Sequence, residues 1–184
     1  MADADDRDLL RRHAAGDSAA FPALYRKYYP RVHGYCARLL SANDQVEDVV
    51  QNVFSKAFET IHRLESPDLF RYWLFAIARN ETYAVFRTSK RKPTVALDDD
   101  VWDSRTPFDA AVESETAALV EIAIGHLKPE YREVILLRQF EGLSYAEIAA
   151  ITGDTISAVE SRLFKARRTL VKYLQPLFRE PEEP

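Results

Sequence analysis

Long stretches without proline, together with few glycines, constrain most strongly how this chain folds. The 184 residues contain five glycines and nine prolines, and no proline occurs within 31–66, 68–92, 108–128 or 130–175. Helices tolerate such stretches, whereas a sheet of similar size needs frequent turns that are rich in glycine and proline. The sequence therefore predicts an all-α protein.

Charge is distributed unevenly and divides the chain into segments. Residues 19–92 carry 12 basic and 7 acidic side chains, whereas residues 93–114 carry 1 and 6 and include two prolines. An acidic, proline-containing stretch between helical segments is typical of a flexible linker. We therefore predict two small helical domains, 19–92 and 115–175, joined by the linker 93–114, with an N-terminal segment, 1–18, and a C-terminal tail, 176–184.

Composition excludes several classes of protein. With 47% hydrophobic and 11% aromatic residues, the chain has enough apolar side chains for packed cores and is not a disordered acidic protein. Because Cys36 is the single cysteine, an intrachain disulfide and a paired-cysteine zinc site are excluded, which is consistent with a reducing compartment. We interpret Cys36 as an inert, small apolar residue. The first ten residues are acidic and no apolar run approaches a membrane span, so we expect a soluble, cytoplasmic protein without membrane insertion.

One metal-binding pattern is present but incomplete. Glu59 and His62 form half of the Glu-x-x-His signature of helical di-iron sites, and a second copy is absent from the sequence. The other histidines, His13, His33 and His126, are isolated from further ligand residues. We therefore predict no catalytic residue, no metal site and no cofactor, and expect a protein that is not an enzyme.

Three helices are predicted in the first domain, at about 19–40, 44–64 and 68–88, with a bend or interruption of the first at Pro30. In the second of these helices, apolar residues recur every three or four positions, which predicts one buried face. The opposite face carries polar side chains at the same spacing: Asp48, Gln51, Asn52 and Ser55.

The third helix and the residues after it are rich in aromatic and basic side chains: Phe70, Arg71, Tyr72, Trp73, Phe75, Arg79, Tyr83, Phe86, Arg87, Lys90, Arg91 and Lys92. Six rings within seventeen residues exceed what one buried face can hold. Some rings are therefore expected near the surface beside cations, where bases of single-stranded nucleic acid stack. A well-packed aromatic helix with a solvated basic end explains the same pattern.

Four helices are predicted in the second domain, at about 117–127, 129–139, 144–151 and 155–174. Ser144 and Glu147 form a capping box at the start of the third helix, a turn around Gly153 follows, and Thr155 is a candidate cap for the fourth helix. A short helix, a glycine turn and a longer helix in this order are typical of a DNA-binding helix-turn-helix.

The fourth helix has two different faces. One face is expected to pack on its own domain through Ile156, Val159, Leu163, Ala166 and Leu170. The opposite face carries short hydroxyl side chains near its start and Lys165, Arg167 and Arg168 further along, which suits a helix in a major groove with its cations near phosphates. The alternative is an amphipathic helix that closes a bundle and whose basic end complements the helix dipole.

Three stretches together resemble one known family. They are DVVQNVFSKAF at 48–58, FRYWLFAIARNETY at 70–83 and LKPEYREVILLRQFEGLSYAEIAAITGDTISAVESRLFKARRTL at 127–170. In this order across an acidic linker, they resemble the bacterial RNA polymerase sigma factors, specifically the two-domain extracytoplasmic-function (ECF) group. The resemblance covers about residues 19–174 and implies a sigma region 2-like first domain and a region 4-like second domain.

The resemblance implies a sigma factor that binds core RNA polymerase, directs it to specific promoters and helps to melt the minus-ten region. The implied partners are core RNA polymerase, promoter DNA and an anti-sigma factor, with a monomer when free or a 1:1 complex with the inhibitor. The alternative is a helix-turn-helix regulator that acts without polymerase, although the sequence contains neither a dimer seam nor a recognisable sensor domain. Because the chain has a net charge of -4, we expect the isolated protein to bind DNA weakly.

The resemblance also implies three sets of site residues. The core-polymerase-binding set is Asp48, Gln51, Asn52 and Ser55. The minus-ten DNA-binding set, which includes the loop 64–69 where the family captures an unpaired base, is Ser66, Asp68, Phe70, Arg71, Tyr72, Trp73, Arg79, Asn80, Tyr83 and Arg87. The minus-thirty-five DNA-binding set is Thr155, Ser157, Ala158, Glu160, Ser161, Arg162, Phe164, Lys165 and Arg168. The linker is implied to pass near the polymerase active centre as a nucleic-acid mimic, and a plain flexible tether explains its composition equally well.

Two residues depart from the family pattern. Where the family commonly has Thr followed two residues later by Lys or Arg, this chain has Ala158 and Glu160. A carboxylate does not contact a phosphate favourably, but it accepts a hydrogen bond from cytosine N4. Either the promoter sequence differs from the usual one, or this turn lies away from the DNA and Ser161, Phe164 and Lys165 read it.

Overall fold

A computed structural model describes residues 4–41, 44–89 and 115–175, which form two compact helical units. The first unit contains α1 Ala4–Ala14, α2 Ala20–Leu40, α3 Val46–Thr60 and α4 Phe70–Ser89; the second contains α5 Glu115–Gly125, α6 Pro129–Ile135, α7 Tyr145–Thr152 and α8 Ile156–Leu174. Two 3₁₀ turns, Ile61–Arg63 and Pro67–Leu69, connect α3 to α4, and a π-helical turn, Leu136–Phe140, follows α6. These residues contain no strand, which confirms the all-α prediction.

The core of the first unit lies between α2, α3 and α4. All three helices contribute buried side chains, among them Leu24, Val32, Leu39, Val49, Val53, Leu74, Phe75 and Ala78. The buried residues of α3 are spaced by three and four positions as predicted, so that its opposite face is open. α2 continues through Pro30, and the interruption considered there does not occur.

α1 is a helix that the sequence analysis did not predict within the N-terminal segment. It packs against α2, with Leu9 and Leu10 buried and Asp6 only 1% exposed. The Tyr28 hydroxyl donates a hydrogen bond to Asp6 Oδ2 at 2.5 Å, and Lys27 Nζ lies 2.8 Å from Asp6 Oδ1. Leu9 and Leu10 are adjacent and surrounded by charged residues, so they show too little periodicity to predict a helix. The burial of Asp6 depends on Tyr28 and Lys27 of α2 and cannot be recognised from the neighbouring sequence.

Cys36 is fully buried in α2. The Thr82 hydroxyl donates to its Sγ at 3.8 Å, but burial dominates and raises the pKa of the Cys36 thiol to about 12. The thiol is therefore protonated near neutral pH. This agrees with the interpretation of Cys36 as a small apolar core residue rather than a redox sensor.

Arg132 holds the junction between α5 and α6. Its side chain is fully buried, and it donates from Nε to the Ile124 carbonyl at 3.1 Å and from Nη2 to the carbonyls of Leu127, at 3.1 Å, and Gly125. The last carbonyls of a helix have no hydrogen-bond partner within the helix. The Arg132 guanidinium therefore supplies donors to carbonyls that are shielded from water. Burial lowers the pKa of Arg132 to about 10, and the side chain remains charged near neutral pH.

The acidic linker 93–114, the basic residues Lys90, Arg91 and Lys92, and the tail 176–184 lie outside the described residues. Within the described ranges, no helix combines the length and the hydrophobicity needed to cross a membrane.

Candidate nucleic-acid and polymerase interfaces

Residues that are close in sequence build the helix-turn-helix of the second unit. The Ser144 hydroxyl accepts from the Glu147 amide at 3.2 Å and the Glu147 carboxylate accepts from the Ser144 amide at 2.7 Å, which completes the capping box. Gly153 ends α7 with φ +75°, a conformation that favours glycine. The Thr155 hydroxyl then caps α8 by accepting from the Ala158 amide at 3.1 Å. These are the caps that the sequence predicts.

α8 buries one face and exposes the other. Val159, Leu163 and Ala166 are at most 1% exposed and hold α8 on its own unit. The outward face carries exposed side chains: Ser157, Glu160, Ser161, Phe164, Lys165 and Arg168. Phe164 and Val171, two turns apart on this face, are 67% and 60% exposed. Large apolar side chains in water beside cations are expected of a surface that binds a partner, rather than of a helix that only closes a bundle.

Some residues of the minus-thirty-five set have structural partners instead. Arg162 forms a bidentate ion pair with Asp154 in the turn, with Nη2 2.9 Å from Oδ1, and thereby holds the turn against α8. Thr155 is used as the cap, and Ala158 is half-buried. Ile156, expected in the packed face, is 49% exposed because it is the first residue of α8, ahead of the turn that packs through Val159.

α4 exposes part of its aromatic and basic residues. Asn80 and Arg87 are exposed, and half-buried side chains beside them are Arg71, Tyr72, Trp73, Arg79, Tyr83 and Phe86. The Arg79 guanidinium lies over the Tyr83 ring, 4.4 Å from its centroid, and the Tyr83 and Phe86 rings meet edge-on at 5.5 Å. Partly exposed rings beside cations suit the stacking of unpaired bases.

Phe70, which belongs to the predicted minus-ten set, does not lie on this surface in the folded unit. Its ring is 2% exposed, packs edge-on against Tyr28 with centroids 5.3 Å apart, and lies 5.9 Å from the Trp73 ring. Phe75 is fully buried as well. Phe70, Leu74 and Ala78 share one buried face of α4 at four-residue spacing, and Phe70 packs on Tyr28 of α2.

The loop before α4, residues 64–69, is named the minus-ten loop below. The Ser66 hydroxyl accepts from the Asp68 amide at 3.4 Å and caps the 3₁₀ turn Pro67–Leu69. The Asp68 carboxylate accepts hydrogen bonds from Arg7 of α1. Ser66 and Asp68, both predicted to contact DNA, therefore already have partners within the unit.

The polar face of α3 is open to solvent. Asp48, Gln51, Asn52 and Ser55 are all exposed, in agreement with their helical spacing. The structure places these side chains on one surface of the first unit.

An aromatic groove with a volume of about 530 Å³ lies between α2 and α3, beside this polar face. It is lined by Phe21, Tyr25, Tyr29, Glu47, Val50, Gln51, Phe54, Ser55 and Phe58. Phe58 is 57% exposed and Tyr25 38% exposed, and sequence reasoning missed both. Phe58 follows the buried Phe54 by four positions, at the edge of the apolar face of α3, so helical spacing gives only a weak signal of its exposure.

Glu47 is the acidic residue that lines the aromatic groove. The Tyr29 hydroxyl donates to Glu47 Oε2 at 3.0 Å, and His33 Nε2 lies 3.0 Å from Glu47 Oε1. The hydrogen bond to Glu47 raises the pKa of Tyr29 above its ordinary value. The groove thus combines exposed rings with a carboxylate that is held in place.

Comparisons with known proteins cover both units. Residues 24–92 match the family model of Sigma-70 region 2, and residues 118–170 match that of Sigma-70, region 4. The chain is 32% identical to the RNA polymerase sigma-H factor of Pseudomonas aeruginosa, over 95% of this chain and 96% of that protein. It is 33% identical to the ECF RNA polymerase sigma-E factor of Haemophilus influenzae, over 94% of this chain and 96% of that protein.

A similar solved structure is that of the sigma factor RpoE from Bartonella quintana in complex with the anti-sigma factor NepR. The TM-score is 0.68 at 27% identity, with 84% of this chain and 96% of that chain covered. A region 2 unit followed by a region 4 unit with a helix-turn-helix defines an initiation factor of the sigma-70 class. The chain belongs to the extracytoplasmic-function group of RNA polymerase sigma factors.

This sigma factor binds core RNA polymerase and promoter DNA and directs the polymerase to promoters. It is a non-enzymatic initiation factor, and the polymerase carries out the chemistry of transcription. The alternative of a regulator that acts without polymerase receives no support from these matches.

Proposed function

We propose that the outward face of α8 reads the minus-thirty-five element while α4 and the minus-ten loop bind the melted strand of the minus-ten element. The observation that carries this proposal is the outward face of α8. On this face, exposed cations and the Phe164 ring lie on the second helix of a helix-turn-helix whose caps are all formed. In this arrangement Ser157, Glu160, Ser161 and Phe164 face base edges, and Lys165 and Arg168 face phosphates.

Binding energy drives promoter melting, since a sigma factor hydrolyses no nucleotide. Exposing an unpaired base costs a few kcal/mol, and stacking on an aromatic ring returns about 1–3 kcal/mol per base. Tyr72, Trp73 and Tyr83 are half-buried, so that part of each side chain is accessible to such bases. Arg79, Arg87 and Asn80 lie along the same helix and supply cations and a polar group for the backbone.

Run-off transcription with purified core polymerase on genomic fragments tests the function, with start sites mapped afterwards. The chain is expected to stimulate transcription from discrete start sites. Complete lack of stimulation on every fragment contradicts the proposal. In a gel-shift assay at moderate salt, the isolated chain is expected to bind promoter DNA weakly because its net charge is -4.

Lys165→Ala tests the role of α8, with Lys128→Ala as the matched control. Both lysines are exposed on the second unit, but Lys128 lies at the start of α6 and not on the outward face of α8. Removing a phosphate contact is expected to lower the slope of log affinity against log salt by about 0.9 for the holoenzyme on duplex promoter. An equal effect of both substitutions contradicts the assignment of Lys165 to the DNA face.

Glu160 is proposed to accept a hydrogen bond from cytosine N4 in the minus-thirty-five element. Its exposure on the outward face, between Ser157 and Phe164, supports this role over a position away from DNA. Glu160→Gln replaces the acceptor by a group that pairs with adenine, and the preference at one base pair should shift by about 1–3 kcal/mol. A library of minus-thirty-five sequences measures the shift, and unchanged preferences at every position contradict the role.

The polar face of α3 and the adjacent aromatic groove are proposed to bind core polymerase. Exposed aromatic rings beside polar groups are the composition of interface hot spots. Phe58→Ala is expected to weaken binding to core polymerase, measured without DNA, about tenfold or more. Leu69→Ala removes a 40% exposed side chain elsewhere on the same unit and should leave this affinity unchanged.

An anti-sigma factor is proposed to inhibit the chain in a 1:1 complex, and the site of action is proposed to be the cytoplasm, where polymerase and promoter DNA lie. The complex of the similar Bartonella quintana sigma factor with NepR supports such a partner. The buried thiol of Cys36 agrees with a reducing compartment. A bound inhibitor should suppress run-off transcription and sediment with one copy of this chain; an inhibitor-free chain is expected to sediment as a monomer.

A further inference from the structure

Arg7 of α1 reaches across the first unit to the minus-ten loop. Its Nη2 lies 2.7 Å from Asp68 Oδ1 and 2.9 Å from Oδ2, and its Nε lies 3.0 Å from Oδ1. Both side chains are about half exposed, at 50% and 43%. An ion pair with this exposure contributes little to the free energy of unfolding, because water screens it. Its bidentate geometry, however, fixes the direction of the carboxylate and of the turn that carries it.

The residue before Arg7 fixes the other side of the loop. Asp6 is buried and accepts from the Tyr28 hydroxyl, and the Tyr28 ring packs edge-on against Phe70, the first residue after the loop. Burial, reinforced by Asp6, raises the pKa of Tyr28 far above its ordinary value, so the hydroxyl donates at any physiological pH. Two adjacent residues of α1 therefore hold the loop, one through Asp68 and one through Phe70.

We propose that α1 braces the minus-ten loop and that Arg7 is a positioning residue for recognition of the minus-ten element. Arg7 acts through Asp68: the bidentate pair sets the conformation in which the loop meets an unpaired base. This inference rests on the proposed function of the loop. It adds a role for α1, which lies outside the residues matched to Sigma-70 region 2, 24–92.

The test measures base discrimination by the reconstituted holoenzyme. The probe is a fork-junction DNA, single-stranded over the non-template minus-ten element of a promoter that the run-off assay identifies, together with probes that carry one changed base each. The ratio of affinities for the original and the changed probes reports the loop geometry. A merely stabilising role lowers both affinities together and leaves the ratio unchanged.

Arg7→Ala and Asp68→Asn are each expected to reduce the ratio about threefold at one base position. The double variant is expected to match the single variants, because both remove the same contact. Arg7→Lys keeps the charge but not the bidentate geometry, so it should resemble Arg7→Ala. Arg11→Ala removes a 77% exposed arginine from the same helix and should leave the ratio unchanged.

The proposal is overturned if the affinity ratio is unchanged in both Arg7→Ala and Asp68→Asn, or if Arg11→Ala lowers the ratio equally. It is also overturned if Arg7→Lys has the wild-type ratio, because the effect is then due to charge alone. If Arg7→Ala does not fold, Asp68→Asn tests the same contact from the loop side. A wild-type chain that fails to stimulate polymerase contradicts the proposed function instead, and that result is obtained before any variant is made.

Discussion

The two candidate DNA surfaces are held in place in opposite ways. In the second unit, the capping box, the Gly153 turn, the Thr155 cap and the pair of Arg162 with Asp154 all join residues at most eight positions apart. In the first unit, Arg7 and Asp68 are 61 positions apart. α8 is thus held by contacts within its own helix-turn-helix, whereas the minus-ten loop depends on α1, an element far from it in sequence.

Phe70→Ala is expected to have the largest effect, because it breaks a distant contact in the core of the first unit. Removing a buried phenylalanine should lower the free energy of unfolding by about 3–5 kcal/mol. Urea unfolding of the full chain measures the loss, and amide hydrogen exchange assigns it to the first unit. The exposed neighbour provides the control, since Leu69→Ala should change stability by less than about 0.5 kcal/mol. If Phe70→Ala leaves the free energy of unfolding unchanged but abolishes promoter melting, Phe70 acts in DNA binding instead.

Gly153→Ala tests the turn of the second unit. A Cβ would meet no atom within 4 Å there, so only the backbone conformation at φ +75° opposes alanine, by about 1–2 kcal/mol. Gly125→Ala is the matched control, because its surroundings are equally open but its φ is not positive. Gly125 is the last residue of α5, so Gly125→Ala should not lower the stability of the second unit. Loss of stability in both variants contradicts this account of the turn.

Ser144→Ala removes the capping box and should destabilise the second unit by about 1 kcal/mol. The effect is local, so hydrogen exchange should increase in α7 first and leave the first unit unchanged. Ser161→Ala, on the outward face of α8, should have the reverse profile: stability within about 0.5 kcal/mol of the wild type and weaker promoter binding. If Ser144→Ala and Ser161→Ala change stability equally and promoter binding equally, the residues that stabilise this unit cannot be distinguished from those that contact DNA.

Asp17 gives the smallest effect and shows that the first unit also has local contacts. Its Oδ1 accepts from the Ala19 amide at 2.9 Å and its Oδ2 accepts from Arg12 Nε at 2.8 Å, and these contacts lower the pKa of Asp17 below its ordinary 3.8. A lowered pKa means stabilisation that is present above about pH 4 and is lost as the pH falls through the folded-state pKa. The difference between wild type and Asp17→Asn in urea unfolding should therefore shrink in acid; growth of the difference in acid contradicts the assignment.

The difference between local and distant contacts also determines which features can be predicted from the sequence. Caps, turn residues and helix faces depend on neighbours within a few positions, so Ser144, Gly153, Thr155 and the open face of α3 are recognisable in the sequence. The pairing of Phe70 with Tyr28 joins α4 to α2, and the existence of α1 depends on contacts with residues of α2 and the minus-ten loop. No local pattern encodes such pairings, because they arise only when separate helices pack.

The exposed rings of the aromatic groove illustrate a second limit. Phe54 is 6% exposed and Phe58 57% exposed, although both are phenylalanines on α3 four positions apart. Helical spacing alone places them on one side of the helix. The difference arises because α2 covers one ring and leaves the edge of the other open, which is a property of the packed pair of helices.

The junction held by Arg132 has a consequence for how the second unit evolves. Its guanidinium donates to three main-chain carbonyls, those of Ile124, Gly125 and Leu127. A mutation that changes an acceptor's side chain but preserves the backbone path leaves the contact intact, whereas a lysine at position 132 lacks the planar fork that reaches three carbonyls. At these three carbonyls, selection therefore acts on the codon of Arg132 rather than on the side chains of Ile124, Gly125 and Leu127.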